Sequence, residues 1–127
     1  MAKTIAITNQ KGGVGKTTTA VNLTAILADM GQRVLVVDLD PQGNTTSGYG
    51  LKAGENCVYE ALLGRVPLKN CIRPTRVPNL SLVPADIRLA GAELELVEVE
   101  QREFRLKTEL NQVQRDYDFI FIDCPPS

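Results

Sequence analysis

KTIAITNQKGGVGKTTTA, residues 3–20, is the stretch whose reading decides the fold. KTIAIT (3–8) is short, apolar and β-branched, and it stops at the polar pair Asn9-Gln10, which predicts a buried strand. Glycines then crowd positions 12, 13 and 15. From Lys16 the pattern turns helical to about Met30, with Ala20, Leu23 and Leu27 on one face and Gly31 where a C-terminal cap belongs. In a strand–turn–helix of this kind, glycines let backbone N–H groups turn inward around phosphate oxygens, and the helix N-terminus supports them. A lysine meets the β- and γ-phosphates and a Ser or Thr hydroxyl coordinates Mg²⁺. Gly12, Gly13, Gly15, Lys16 and Thr17 fit those roles. The strict pattern G-x-x-x-x-G-K-[ST] is nevertheless broken, because position 10 holds Gln10, and Lys11 is a lysine the pattern does not require.

Two other readings of the loop are weaker. A glycine-rich turn that only caps a helix gives no reason for Lys16-Thr17 at the junction. A dinucleotide fingerprint could start at Gly13-Val14-Gly15 with Asp38 as the ribose acid. It needs a glycine at position 18, where Thr18 stands, and leaves the lysine unexplained.

Further along, RVLVVDLD (33–40) is almost continuously apolar until its acidic end, as in a central parallel strand. PQGNTTSGYG (41–50) reads as a turn-rich loop. VYEALLG (58–64) suggests a short helix closed by Gly64, and NLSLVPA (79–85) a strand ended by Pro84. From Asp86 to about Arg115 an amphipathic stretch places Leu89, Ala92, Leu96, Val99, Leu106, Leu110 and Val113 at helical steps, its charges forming a solvated face. YDFIFIDCPPS (117–127) supplies a last strand ending in Asp123. Strands alternating with helices predict an α/β fold, a mainly parallel sheet flanked by helices.

Ligands of such sheets gather at the carboxyl ends of the strands. Three of those ends carry chemistry: the glycine-rich loop, Asp38 with Asp40, and Asp123. Asp38 and Asp40 are two apart and face the same way on an extended strand. Near phosphates they could hold Mg²⁺ through water or position an attacking water. Alternatively, either acid caps the loop PQGN.

Composition narrows the chemistry. The chain has 127 residues, 43% hydrophobic and 23% charged, enough for at most one domain. A net charge of −1 gives no global pull toward nucleic acid or anionic membrane. There is no histidine, which removes His-based triads and most zinc chemistry. Three cysteines without a C-x-x-C pair favour reduced thiols, with Cys124 a small buried residue beside its strand. Tyr49 and Tyr59 with scattered Arg73 and Arg76 do not make a nucleic-acid surface. No segment reads as a signal peptide or a bilayer span, so a cytoplasmic protein with no membrane partner is expected.

KGGVGKTTTA, followed by VVDLDPQGN and FIFIDCPPS, resembles the ParA/Soj family of deviant Walker A ATPases, related to MinD and the nitrogenase iron protein. The resemblance covers essentially the whole chain and answers the question of Lys11. It implies a signature lysine, here Lys11, that reaches across an ATP-bound sandwich dimer to the partner's phosphates, in the manner of an arginine finger. It further implies that Lys11, Gly12, Gly13, Val14, Gly15, Lys16, Thr17 and Thr18 bind nucleotide, with Lys16 the within-subunit lysine. Thr17 becomes the Mg²⁺ ligand, Asp38 a support of the metal's water shell, Asp40 the residue orienting the hydrolytic water, and Asp123 the Walker B acid. The implied cofactors are ATP and Mg²⁺. The implied partners are a second copy when ATP is bound, a ParB-like protein, and nonspecific DNA.

Members of the family run to roughly twice this length, so residues 1–127 are expected to be the N-terminal part of a single P-loop ATPase domain. DNA and adenine contacts would then lie in the C-terminal half, and the Walker A strand would be left as a sheet edge. The function expected of the full-length parent is ATP hydrolysis in chromosome or plasmid partitioning. The alternative is a nonhydrolytic nucleotide-binding regulatory module or an inactive truncated ATPase.

Overall fold

The structure, a computed structural model, describes residues 2–8, 16–91 and 99–125. Its strands are β1 (Lys3–Ile7), β2 (Val34–Asp38), β3 (Arg73–Pro74), β4 (Leu80–Val83) and β5 (Phe119–Asp123). Its helices are α1 (Lys16–Asp29), α2 (Asn44–Gly48), α3 (Val58–Leu62) and α4 (Val99–Val113), with 3-10 turns at 68–71, 87–90 and 114–116. The strands form one sheet in the order β1-β5-β2-β4-β3. All pairings are parallel except that of β3 with β4. This is the expected α/β architecture.

The apolar run of β2 has a direct cause. Leu35 and Val37 belong to the core on one side of the sheet, beneath Val58, Leu62, Leu68 and Leu110. Val34 and Val36 belong to the core on the other, with Ala28, Tyr49, Leu82 and Phe121. A strand whose side chains alternate between two covered faces needs an apolar residue at every position. β5 does the same, sending Ile120 to the first core and Phe121 to the second. Helix α1 packs against β2 and β4, while α4 packs against α3 and the 68–71 turn.

Several expectations change. β1 was expected to be buried, but Lys3, Thr4 and Ala6 are exposed and Ile5 and Ile7 only half-buried. It is the edge of the sheet among the described residues, and α1 leads away from it over β2 and β4. In α1 the buried positions are Ala20, Thr24 and Ala28, spaced by four, whereas Leu23 is 42% exposed. Thr24 can face inward because its hydroxyl donates to the Ala20 carbonyl at 2.6 Å. Gly31 closes the helix as expected, at φ 90° with its N–H on the Ala28 carbonyl at 3.0 Å.

The 41–50 segment is not all loop, since α2 lies within it. The two-residue β3 is an added edge strand, where Pro74 costs the ladder nothing. The stretch from Asp86 to Arg115 is not one helix. The Asp86 carboxylate accepts the Arg88 N–H at 2.9 Å and caps the 87–90 turn, and Gly91 is extended. Ala92 and Leu96 lie outside the described residues. Not every charge on α4 is solvated: Glu109 is buried and accepts the Leu68 N–H at 3.2 Å. Cys124 is half-buried rather than buried. Tyr49 and Tyr59 are core residues, in line with their exclusion from a nucleic-acid surface.

Candidate functional site at the carboxyl edge of the sheet

Three strands end level with one another. Ile7 of β1 lies opposite Asp123 of β5, and Asp123 lies opposite Asp38 of β2. The ladder continues past their ends, with the Cys124 N–H on the Ile7 carbonyl at 3.0 Å and the Leu39 N–H on the Asp123 carbonyl at 2.9 Å. This register brings Asp38 and Asp123 side by side, both fully buried, with Asp40 only 4% exposed.

Buried carboxylates are costly without hydrogen-bond donors. The donors come from the 40–46 segment, as it turns into α2. Oδ1 of Asp38 accepts the Asp40 N–H at 3.0 Å, and Oδ2 accepts both the Thr46 N–H at 3.0 Å and the Thr46 hydroxyl at 2.7 Å. Oδ2 of Asp123 accepts the Thr45 hydroxyl at 2.5 Å. Oδ1 of Asp40 accepts the Gln42 N–H at 3.0 Å. The Thr46 hydroxyl also accepts the Ala85 N–H at 3.0 Å, so α2 is tied to the ends of β5, β2 and β4 together.

Gly43 permits that close seating. It has φ 63°, and a Cβ there would stand 2.8 Å from the Ala85 carbonyl oxygen. At its other end α2 is joined to α1, for the Tyr49 hydroxyl donates to the Val21 carbonyl at 2.9 Å and touches the Thr24 hydroxyl.

Electrostatics at Asp38 follow from this burial. Loss of solvent pushes its pKa up to about 6, the bonds from Thr46 and Asp40 pull it back, and the charge of Asp123 adds to the rise. Carboxylate and hydroxyl oxygens are the only side-chain donors these residues bring to the edge, a set that suits a hard cation such as Mg²⁺. Among the described residues no group of three His, Cys, Asp or Glu side chains is placed to hold a metal. Two of the three thiols lie in the core. Cys57 and Cys71 are buried and free, and burial pushes the Cys71 thiol up to about 11.

Of the residues read from sequence, Asp38, Asp40 and Asp123 are brought together. Lys16 and Thr17 open α1, and Thr18 is exposed in its first turn. Lys11, Gly12, Gly13, Val14 and Gly15 lie outside the described residues. The capping alternative for the acids is also visible, because both Asp38 and Asp40 hold N–H groups of the loop. Thr45 and Thr46 were missed. Their signal was the pair of hydroxyls directly after Asp-Pro-Gln-Gly-Asn, adjacent in sequence and therefore able to reach two different strand ends.

The chain matches the AAA domain family over residues 2–127. Its relatives narrow the branch: it is 58% identical to the sporulation initiation inhibitor protein Soj of Bacillus subtilis over 129 aligned residues, covering 100% of this chain and 51% of that protein. The chain belongs to the ParA/Soj family. The chromosome partitioning protein ParA of Myxococcus xanthus is 51% identical, covering 100% of this chain and 46% of its own. The chain spans about half the length of the curated ParA/Soj relatives it matches.

Solved structures agree with the fold. A Mycobacterium smegmatis protein named cobyrinic acid a,c-diamide synthase, with bound ADP and magnesium, matches at TM-score 0.89 and 44% identity, over 100% of this chain and 52% of that one. A plasmid partition protein of Borrelia burgdorferi matches at TM-score 0.88 and 33% identity, over 100% and 57%. Nucleotide and Mg²⁺ binding thus occur among the structural neighbours. Among the described residues no helix is long and apolar enough to cross a membrane.

Proposed function

We propose that this chain belongs to an ATP-binding, Mg²⁺-dependent ATPase of the ParA/Soj type, which dimerises on ATP and acts in chromosome or plasmid partitioning. On this reading residues 1–127 are the N-terminal part of one P-loop domain in a cytoplasmic protein. The observation that carries it is the level, buried placement of Asp38 and Asp123, with Asp40 two residues on, at the edge where the chain leaves β1.

Gly12, Gly13, Val14, Gly15 and Thr18 would cradle phosphate oxygens through the loop and the first turn of α1, and Lys16 would meet the β- and γ-phosphates. Thr17, Asp38 and Asp123 would hold Mg²⁺, directly or through its waters. When bound, the ion supplies positive charge to the phosphate oxygens. Asp40 would orient the attacking water, a task within reach of a positioned carboxylate. Lys11 would act in trans on the partner's phosphates and so make turnover depend on dimerisation.

A ParB-like partner and nonspecific DNA, the latter met by the C-terminal half, complete the reading. It is supported by relatives named for chromosome partitioning and by a neighbour named as a plasmid partition protein.

The test is a titration of the chain with ATP, with and without Mg²⁺, beside Lys16→Ala. Saturable, Mg²⁺-dependent binding that the substitution abolishes is expected. Equal binding by both proteins would overturn the phosphate-loop assignment.

A further inference from the structure

Thr45 and Thr46 are neighbours in α2, yet they are held in different ways. The Thr46 hydroxyl is engaged from two sides, donating to Asp38 and accepting from the Ala85 backbone, and the Thr46 N–H binds Asp38 as well. It joins two strands to a helix, a task that belongs to the fold. The Thr45 hydroxyl donates instead to a carboxylate oxygen of Asp123 at 2.5 Å, and both residues are fully buried.

A carboxylate turns broadly about its last side-chain torsion. A short hydroxyl bond to one oxygen fixes the plane of the group and with it the direction of the second oxygen. Packing strengthens the constraint. Thr45 cannot follow a rotating carboxylate, because Thr46 beside it is tied to β2 and β4 and Gly43 is seated against Ala85.

We propose that Thr45 is a positioning residue for Asp123, holding its carboxylate in the orientation that Mg²⁺ and its waters require, while Thr46 serves the fold. The proposal rests on the reading of this edge as a Mg²⁺–nucleotide site. Partners that orient a metal-binding group carry large effects on metal affinity although they touch no metal themselves.

The experiment measures ADP binding to the full-length protein by calorimetry, with and without Mg²⁺, and takes the Mg²⁺ enhancement of affinity as its readout. Thr45→Val keeps the shape and removes the donor. It is expected to lower the enhancement about 10-fold or more, with Mg²⁺-free ADP affinity unchanged and Thr45→Ser restoring most of the loss. Thr46→Val is expected to lower the melting temperature, because it removes the hydroxyl that joins α2 to the ends of β2 and β4. Should Thr45→Val not fold, Thr45→Cys, a weaker donor of similar size, takes its place with a smaller loss in the same direction.

An enhancement in Thr45→Val equal to that of the unsubstituted protein overturns the role of Thr45 and leaves the nucleotide site standing. An unsubstituted protein whose ADP affinity ignores Mg²⁺ overturns the site, and the role of Thr45 with it.

Discussion

β1 and β2 are both five-residue runs rich in apolar side chains, KTIAI and VLVVD, yet every residue of β2 is buried and none of β1 is fully so. Composition separates them only in part, through Lys3 and Thr4; coverage does the rest. β2 lies between β5 and β4 and has helices over both faces, so each alternate side chain meets a core. Among the described residues β1 has a strand on one side, and the main packing of α1 falls on β2 and β4. A strand sequence states that its residues suit a pleat; the neighbouring layers decide whether they are buried.

The sharpest break of this comparison truncates one side chain in each region. Phe121, 1% exposed in β5 beside β2, should cost about 3–5 kcal/mol as Phe121→Ala. Ile5→Ala in half-buried β1 should cost less than about 2 kcal/mol, both measured by urea unfolding. Equal losses would show that β1 is sealed in solution.

The next effect sharpens the contrast through pH. Asp38 has a folded-state pKa raised from 3.8 to about 6, so between these values the folded protein keeps a proton that the unfolded chain has released. Its contribution to stability is therefore fully present below the lower value, falls as pH rises toward 6, and is flat above. A rise of that size corresponds to about 3 kcal/mol. Asp118, held low by the Arg33 guanidinium, works in the opposite sense, so the quantity to follow is the difference between the native protein and Asp38→Asn. Stability curves that stay parallel from pH 4 to 7 would remove the buried acid from the account.

The smallest effect lies on the outer face of α1. Ile26, 57% exposed, should tolerate Ile26→Lys within about 0.5 kcal/mol in thermal unfolding. A larger loss would mean that this face is covered.

Legibility differed in the same way. The order of elements was readable because its signals are local: the β-branched run before the glycines, the apolar run before Asp38, Gly31 and Gly64 closing their helices. The inner face of α1 was misread because Leu23 scores as core, while Thr24 faces inward only by returning its hydroxyl to Ala20. The long helix from Asp86 was misread because the apolar steps run straight across a local cap, the Asp86–Arg88 pair, which competes with helix. In the candidate site the acids were legible, since a carboxylate ending an apolar run has few other uses. The threonines were not, because a threonine in a turn is ordinary until its partner is known.

By itself the sequence determined the alternation of strands and helices, the glycine-rich turn between the first two elements, and which strand ends carry acids. Each is written in periodicity and in the conformational limits of single residues, which act over a few positions of chain. Tertiary structure decided which layers cover each strand, and that Asp38 and Asp123 stand level. It alone decided that Thr45 meets an acid 78 residues away. Burial and register depend on which layers and strands become neighbours, and no local pattern encodes a contact between segments that meet only when the sheet is assembled.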